Sequence, residues 1–314
     1  MTSEENMNNN DQEELNDSEV SGFEPIYTIE FLYDQLPNIS SEKLLAFLEK
    51  YTGAVKVSDS TNHVSSTFAE EAVESGEERV QPMVFSHLDH KVTYDDGEVE
   101  YAQSCIYEPH ILQGFDRFDS ALQQSFHWKD AQATITNCKY SVRVHDLFAG
   151  DLPYKERFEL ISGVVQAVLE STSCKAMFWH TSDKLVEPHA YLEAALQGEK
   201  LYGAVNLRLY STGKEKEMIM DTLGLSALGI PDVQCHFYDL DPSALGRDLL
   251  VISKYLYDQG DIVHNGESIG TSANKAYLCE HQHALVVPPR VVLDLNTGSA
   301  HDANQANNQA NNQA

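Results

Sequence analysis

Three residues of metal-binding types lie near the end of the chain, where Cys279, His281 and His283 alternate with other residues. If this segment is a β-strand, side chains two positions apart project to the same face. A thiolate and two imidazoles on one face are ligands that suit Zn²⁺. No longer zinc motif accompanies them, so two interpretations stay open: a zinc site, or polar side chains on a solvent-facing or partner-facing strand. We expect no cofactor.

A second set of residues has the types that hydrolysis needs, since Asp221, Ser226 and His236 supply an acid, a hydroxyl and a base. A strained nucleophilic serine requires the pattern Gly-x-Ser-x-Gly. Gly224 meets the first half of this pattern, but Gly229 comes one residue late. We therefore expect a glycine-hinged turn with its leucines in the core and Asp221 accepting hydrogen bonds from the turn.

The charge of the chain limits the partners that it can bind. Its 314 residues contain 21 Lys and Arg against 49 Asp and Glu, which gives a formal net charge of −28. Nucleic-acid phosphates bind clusters of Lys and Arg that the sequence does not offer, so we expect no nucleic-acid partner. A basic protein is the partner that this charge favours.

The sequence predicts a cytoplasmic protein without a membrane segment. No window contains the 18 or so consecutive apolar residues that a spanning helix requires. The first ten residues, MTSEENMNNN, have neither the basic start nor the apolar stretch of a signal peptide. The five cysteines are dispersed and include no CxxC pair, which is typical of reduced thiols.

Composition divides the chain into two folded units and three flexible segments. Residues 1–24 hold eight acidic side chains and no basic one, which predicts a disordered acidic tail. Residues 297–314 form a low-complexity Asn/Gln-rich tail, also predicted to be disordered, and 57–80 a flexible acidic loop. Between these segments we predict a smaller N-terminal α+β unit at 25–130 and a larger C-terminal α+β unit at 131–296.

Hydrophobic periodicity predicts strands and helices in mixed order. Cys138–His145 alternates apolar and polar residues as a half-buried strand does. Asp241-Pro242 is a favourable helix start, and Gly260 would end that helix. Because strands come both singly and in runs, we predict an α+β fold in two subdomains, with helices packed on a mixed or antiparallel sheet. Three further segments are predicted as a helix, a strand pair and a strand: Phe115–Trp128, Met83–His87 with Lys91–Tyr94, and Ile262–Glu267.

The segment MIMDTLGLSALGIPDVQCHF at 218–237 resembles the bacterial family called domain of unknown function 4261. The resemblance extends over most of 25–296, through stretches such as AMFWHTSDKLVEPHAYLEA at 176–194 and LCEHQHALVVPPRVVLDL at 278–295. It implies no reaction, substrate or cofactor, and therefore no catalytic residue. The residues at the most recognisable positions of the family, candidates for a shared fold or binding site, are Trp179, Asp221, Thr222, Gly224, Gly229, Pro231, Asp232 and His236.

Three functions follow as hypotheses. We expect a non-enzymatic protein-interaction module with a basic protein partner, one version being an immunity-like partner of a basic toxin. The alternatives are a metal-assisted hydrolase and a protein that binds a small ligand in a cleft between the two units. Convergence of Asp221, Thr222, His236 and Trp179 on one surface would favour a binding site, and dispersal would favour a structural role.

Overall fold

A computed structural model describes residues 26–58, 82–94, 97–272 and 275–298. The predicted tails at 1–24 and 297–314 and the predicted loop at 57–80 lie outside the described residues, apart from 57–58 and 297–298. Residues 57–58 end a strand. None of the described helices is both long and apolar enough to cross a membrane.

The described strands form two sheets, and each sheet uses a continuous part of the chain. The first sheet contains β1 (Thr28–Tyr33), β2 (Val55–Ser58), β3 (Met83–Thr93), β4 (Val99–Ile106), β5 (His110–Ile111), β6 (Tyr140–Leu147), β7 (Ala176–Trp179) and β8 (Lys184–Val186). Its order is β2-β3-β4-β6-β1-β7-β8, with β5 paired to β6. The second sheet contains β9 (Asn206–Ser211), β10 (Glu217–Leu223), β11 (Asp232–Tyr238), β12 (Ser268–Ser272), β13 (Lys275–His283) and β14 (Val291–Asn296) in the order β12-β13-β14-β11-β10-β9.

Six α-helices accompany these strands in the part of the chain that the structure describes. They are α1 (Ser41–Thr52), α2 (Asp119–Gln123), α3 (Ala131–Asn137), α4 (Tyr154–Ser171), α5 (Pro188–Leu196) and α6 (Pro242–Gln259). The strand pairs are antiparallel except for β11 and β14, which run parallel. The predicted α+β fold with antiparallel or mixed sheets is therefore confirmed.

The two sheets divide between Val186 and Asn206, at a different point from the predicted boundary near residue 130. Strand β6 lies between β4 and β1, and β7 pairs with β1 on the other side. Strands from both predicted units thus share the first sheet. Whether 25–130 and 131–296 fold as separate units stays a prediction.

Local capping signals place the helix ends. The Ser40 side chain accepts a hydrogen bond from the Lys43 N–H at the start of α1, and Gly53 follows the end of that helix with φ +81°. Asp241 caps α6 in the same way by accepting from the Ser243 N–H, and Gly260 follows its last residue. These contacts satisfy backbone groups that a helix end leaves without partners, so the sequence pattern determines both ends.

Three predicted elements differ from the structure. Ile262–Glu267 is not a strand, because the chain turns at Asn265-Gly266 and β12 begins only at Ser268. The predicted strand pair at 83–94 is one strand, β3, with a register shift between Ser86 and Lys91. The predicted helix Phe115–Trp128 is a 3₁₀ turn followed by the short α2, after which the Gln124 amide bonds both backbone groups of Leu209 in the second sheet.

The largest group of buried apolar residues runs through both sheets, from Tyr27 on the first to Leu295 on the second. Helix α6 covers one face of the second sheet, where Gly246 lies directly against Leu207 and Met220. A smaller buried group, which includes Phe118 and Phe178, lies between the first sheet and the 3₁₀ turn with α2 and α3. The shared core means that the two sheets are stabilised together.

His87 is a fully buried histidine in the core of the first sheet. The Thr52 hydroxyl donates to the Leu48 carbonyl, so it accepts from His87 Nδ1, and His87 Nε2 then accepts from the Ser104 hydroxyl. Burial lowers the pKa of His87 to about 3, and nearby His90 adds to the effect. The native imidazole is therefore neutral at pH values where a free histidine is charged.

We expect acid to destabilise the protein through His87. His87 binds a proton near pH 6.5 in the unfolded chain and only near pH 3 in the native state. The free energy of unfolding that neutral His87 contributes is therefore complete above pH 6.5 and falls as the pH drops from 6.5 to 3. The slope for one histidine is about 1.4 kcal/mol per pH unit. His87→Asn should be less stable at pH 7 but show a flatter profile between pH 6 and 4 in urea unfolding. His189→Asn, at an exposed site, should keep the wild-type slope.

Candidate functional site

The second sheet has one apolar face and one polar face, because successive residues of a strand point to opposite sides. Val233 on β11 points into the core toward α6, and its neighbours Asp232 and Gln234 point to the polar face. Strand register places the other polar residues beside them. From β9 across to β13, the polar face carries Arg208 and Tyr210 on β9, Glu217 and Asp221 on β10, Asp232, Gln234 and His236 on β11, Asp294 on β14 and Glu280 on β13.

Asp221 is the centre of a buried ion network on this face. Arg208 donates from Nε to one carboxylate oxygen of Asp221 at 2.9 Å, and Arg290 donates from Nη2 to the other at 2.7 Å. The three side chains are at most 4% exposed. Removing charged groups from water costs several kcal/mol per ion, so the network is stable only while each charge has its partner.

Asp232 extends the network to the turn between β10 and β11. One of its oxygens accepts from the Arg290 Nε at 2.9 Å and the Ser226 hydroxyl at 2.8 Å, and the other accepts from the Leu225 N–H at 3.0 Å. Burial raises the pKa of Asp232, and the charge of Arg290 opposes that rise. Thr222 also bonds the Asp232 side chain and accepts from the Val233 N–H. These contacts fix the conformation of the turn.

Residues 284–290 fold over this half of the polar face. Arg208 donates to the Val287 carbonyl at 3.0 Å, and Arg290 donates to the Pro288 carbonyl at 2.9 Å. The Leu285 N–H donates to the Gln234 side chain at 2.7 Å. The structure therefore brings together Asp221, Thr222 and Asp232, but in a closed interior where their side chains are already bonded. Their contacts stabilise the turn between β10 and β11 and the covering segment 284–290.

Two of the predicted residues act through close packing. An added Cβ on Gly224, whose φ is +133°, would lie 1.8 Å from the Ala204 carbonyl oxygen, and one on Gly203 would lie 2.4 Å from the ring of Trp179. Trp179 itself is fully buried, 6.0 Å from the Tyr27 ring in an edge-to-face contact. Trp179 and Gly224 thus contact the same short segment, 203–204, from the two sheets.

Gly229 and Pro231 lie in the same turn. Gly229 ends the 3₁₀ turn Ser226–Leu228 with φ +71°, a backbone conformation that favours glycine. Pro231 is buried and directly precedes β11. Both positions shape the entry of the chain into the strand that carries Asp232.

His236 lies on the open half of the polar face, away from the ion network. Its Nε2 is 2.9 Å from Glu217 on β10, and Glu280 on β13 lies directly opposite Asp294 on β14. We call Glu217, Asp294 and Glu280, together with His236, the acidic strip. Burial raises the pKa of Asp294; the hydrogen bond from Gln234 and the charge of His236 oppose that rise, and the charge of Glu280 adds to it.

The residues proposed for zinc do not form a ligand set. Cys279 is fully buried, and its thiol donates to the Tyr277 carbonyl. His281 lies beside Asn265 and Asp261, which contact its two ring nitrogens at 3.0 and 3.3 Å. Within the part of the chain that the structure describes, no group of three or more His, Cys, Asp or Glu could hold a metal ion.

The residues proposed for hydrolysis are also separated in their contacts. The Ser226 hydroxyl donates to Asp232, Asp221 pairs with two arginines, and His236 pairs with Glu217. The geometry therefore offers no bond between a nucleophile and a base in this set, which the triad mechanism requires.

The first sheet carries a polar cluster that the sequence does not predict. Glu30 is fully buried on β1, and Arg117 donates to both of its oxygens at 2.7 Å. His180, which follows β7, lies 3.4 Å from the same carboxylate. Burial alone would raise the pKa of Glu30, but hydrogen bonds from His180 and Arg117 hold it well below its usual range. Arg117 and His180 are 87 and 150 positions from Glu30, and no local spacing links them.

These features define an α+β protein with two sheets, a shared core and one polar sheet face that is half closed and half open. Residues 221–296 match the family model described as Domain of unknown function (DUF4261), which confirms the resemblance to that family over this segment. The matched segment includes the ion network except Arg208, and the acidic strip except Glu217. Searches of curated proteins and of solved structures returned no match to this chain.

Proposed function

We propose that the chain is a non-enzymatic protein-interaction module that binds a basic partner on the acidic strip. One observation carries this proposal: carboxylates from three strands, Glu217, Asp294 and Glu280, lie on the same sheet face, where Glu280 is exposed and the other two are partly accessible. Glu280 and Asp294 lie directly opposite each other, and like charges in this position repel, which is a cost in the free protein. A cationic partner removes that cost when it binds, and charge complementarity also speeds association.

The distribution of positive charge supports the proposal. Several exposed lysines are held in local ion pairs, such as Lys50 with Glu170 and Lys200 with Glu159, and Lys214 pairs with Glu217 at one end of the acidic strip. These pairs offset their charge within the molecule, so the surplus that remains is negative, in line with the formal net charge of −28. The long-range field of such a protein attracts cations and repels anions, nucleic acids among them.

Apolar side chains border the acidic strip. Leu278 on β13 is 42% exposed, and Leu285 and Val287 on the covering segment 284–290 are 52% and 75% exposed. Protein interfaces combine an apolar centre with charged groups that set orientation. The strip and its border thus suit a basic partner that also presents apolar side chains.

The proposal includes a cytoplasmic location and, as one concrete version, an immunity-like role. The five cysteines are free thiols in the structure, which suits a reducing compartment. A toxin that acts on nucleic acid is commonly basic, and an acidic strip would bind such a surface. The supporting feature is charge complementarity, which any basic protein partner shares.

Neutralising the strip should weaken partner binding without unfolding the protein. Full-length wild-type protein would capture its partner from lysate of the source cells, and the affinity would then be measured for the Glu280→Gln/Asp294→Asn variant. We expect roughly tenfold weaker binding, since each surface ion pair contributes up to about 1 kcal/mol. The amide oxygen that the second substitution introduces can still accept the hydrogen bond from Gln234, so the free energy of unfolding should hold or rise slightly.

The matched control is Glu193→Gln, which removes a 60% exposed carboxylate from α5. It should bind as the wild type does. If no stoichiometric partner is recovered at low or moderate salt, or if the control loses as much affinity as the double variant, the proposal is wrong.

A further inference from the structure

The first sheet contains a half-buried arginine, Arg143, that forms no ion pair with another described residue. Arg143 on β6 lies directly opposite Glu30 on β1. The Glu30 carboxylate is bonded on both oxygens by Arg117, and His180 lies beside it. Both oxygens of Glu30 are thus bonded by other groups, and Arg143 takes part in none of the ion pairs among the described residues.

The Arg143 guanidinium also has an unmet hydrogen-bond donor. Its Nε is buried, and no described residue accepts a hydrogen bond from it. Buried donors in native proteins almost always have an acceptor, because an unpaired donor loses its hydration without compensation. A guanidinium on a strand of a strongly acidic protein would normally find a carboxylate. Because the described residues supply none, the charge of Arg143 is available to an anion that binds from outside.

The neighbours of Arg143 on this sheet face are polar and partly accessible. His145 lies two residues further along β6, with its Nδ1 2.8 Å from the Thr28 hydroxyl, and the Tyr107 ring meets it edge to face at 5.1 Å. Burial lowers the pKa of His145 to about 4, and the charges of His180 and Arg143 contribute. The backbone places His180 beside them, because its N–H donates to the Thr28 carbonyl at 3.2 Å and Thr28 lies directly opposite His145.

Both groups beside Glu30 remain open to solvent. The His180 side chain is 34% exposed and the Arg117 side chain 29% exposed. Glu30 holds both side chains in place from the buried side. A ligand that binds their exposed atoms therefore loses little free energy in ordering them. The Phe178 ring lies 4.6 Å from the His180 ring, so apolar surface borders the polar groups.

We propose that Arg143, His180 and Arg117 form a binding site for the oxyanion group of a small molecule, a carboxylate or a phosphate. Arg143 donates to the oxyanion from the terminal N–H groups of its guanidinium, whose planar geometry matches both anions. His180 and Arg117 border it, oriented by Glu30. This site lies on the first sheet and is independent of the acidic strip on the second.

Titration of the full-length protein with inorganic phosphate and with malonate, each against chloride at equal ionic strength, tests the site. Calorimetry would measure the dissociation constant and the melting temperature. We expect at least one of the two anions to raise the melting temperature beyond the effect of chloride. Arg143→Gln should weaken binding at least about tenfold, because it removes a charge-assisted hydrogen bond.

Arg143 bonds no other described residue through its Nε, so Arg143→Gln should fold, and urea unfolding would verify this. His180→Gln is the second variant and should also weaken binding. Arg247→Gln, at an exposed position of α6, is the matched control and should bind as the wild type does. Binding of phosphate alone or malonate alone identifies the anion. No binding of either anion, or equal losses in Arg143→Gln and Arg247→Gln, would overturn the proposal.

Discussion

Replacing Asp221 with alanine should lower the free energy of unfolding by about 3–5 kcal/mol. The carboxylate of Asp221 neutralises Arg208 and Arg290, both almost fully buried. Its removal leaves two guanidinium groups in the interior with one remaining carboxylate, Asp232, which bonds Arg290 but not Arg208. Urea unfolding followed by circular dichroism would measure the loss.

The control for this prediction is Asp34→Ala. Asp34 forms an ion pair with Lys175 at 3.7 Å, but both side chains are more than 40% exposed. Exposed pairs contribute about 0–1 kcal/mol, so this variant should remain close to the wild type. A loss below about 1 kcal/mol for Asp221→Ala would mean that the network does not hold the polar face together.

Replacing Gly224 with alanine should lower the free energy of unfolding by about 3 kcal/mol. Two costs combine at this position. The added Cβ would lie 1.8 Å from the Ala204 carbonyl oxygen, so the backbone must shift, and φ +133° is a conformation that side chains disfavour. The contact joins the turn after β10 to the 203–204 segment that packs on Trp179, so the shift would loosen the junction of the two sheets.

Gly198→Ala separates these two costs. Gly198 has φ +78°, but an added Cβ there would meet no atom within 4 Å. This variant should therefore lose only the conformational cost of about 1 kcal/mol. Equal losses in the two variants of thermal or urea unfolding would show that the Ala204 contact is unimportant.

Local chemistry made part of the fold predictable. Capping by Ser40 and Asp241 depends on residues two or three positions away, and the alternation in 138–145 depends on the strand itself. Secondary structure is harder to predict where a turn signal interrupts a strand pattern. Asn265-Gly266 is such a signal, and it lies inside the predicted strand 262–267. The short helix near Gln124 ends where that side chain bonds a strand 85 residues away, a cause that no local pattern reveals.

The sites depended even more on long-range contacts. The sequence predicts that the leucines of the turn around Gly224 pack into the core, which the structure confirms, but no pattern links Asp221 to Arg290, 69 positions away. In the same way Arg143, Glu30 and His180 meet only because β6, β1 and β7 are neighbours in the sheet. Strand order is set by the whole fold, so pairs of this kind are invisible to spacing arguments.

The most direct measurement of the central claim is hydrogen exchange of the full-length protein with and without its captured basic partner. If the partner binds the acidic strip, backbone amides of 278–282 and 234–238 should exchange more slowly in the complex, while those of β2 and β3 stay unchanged. Protection confined to the first sheet, with none on β13, β14 or β11, would contradict the account.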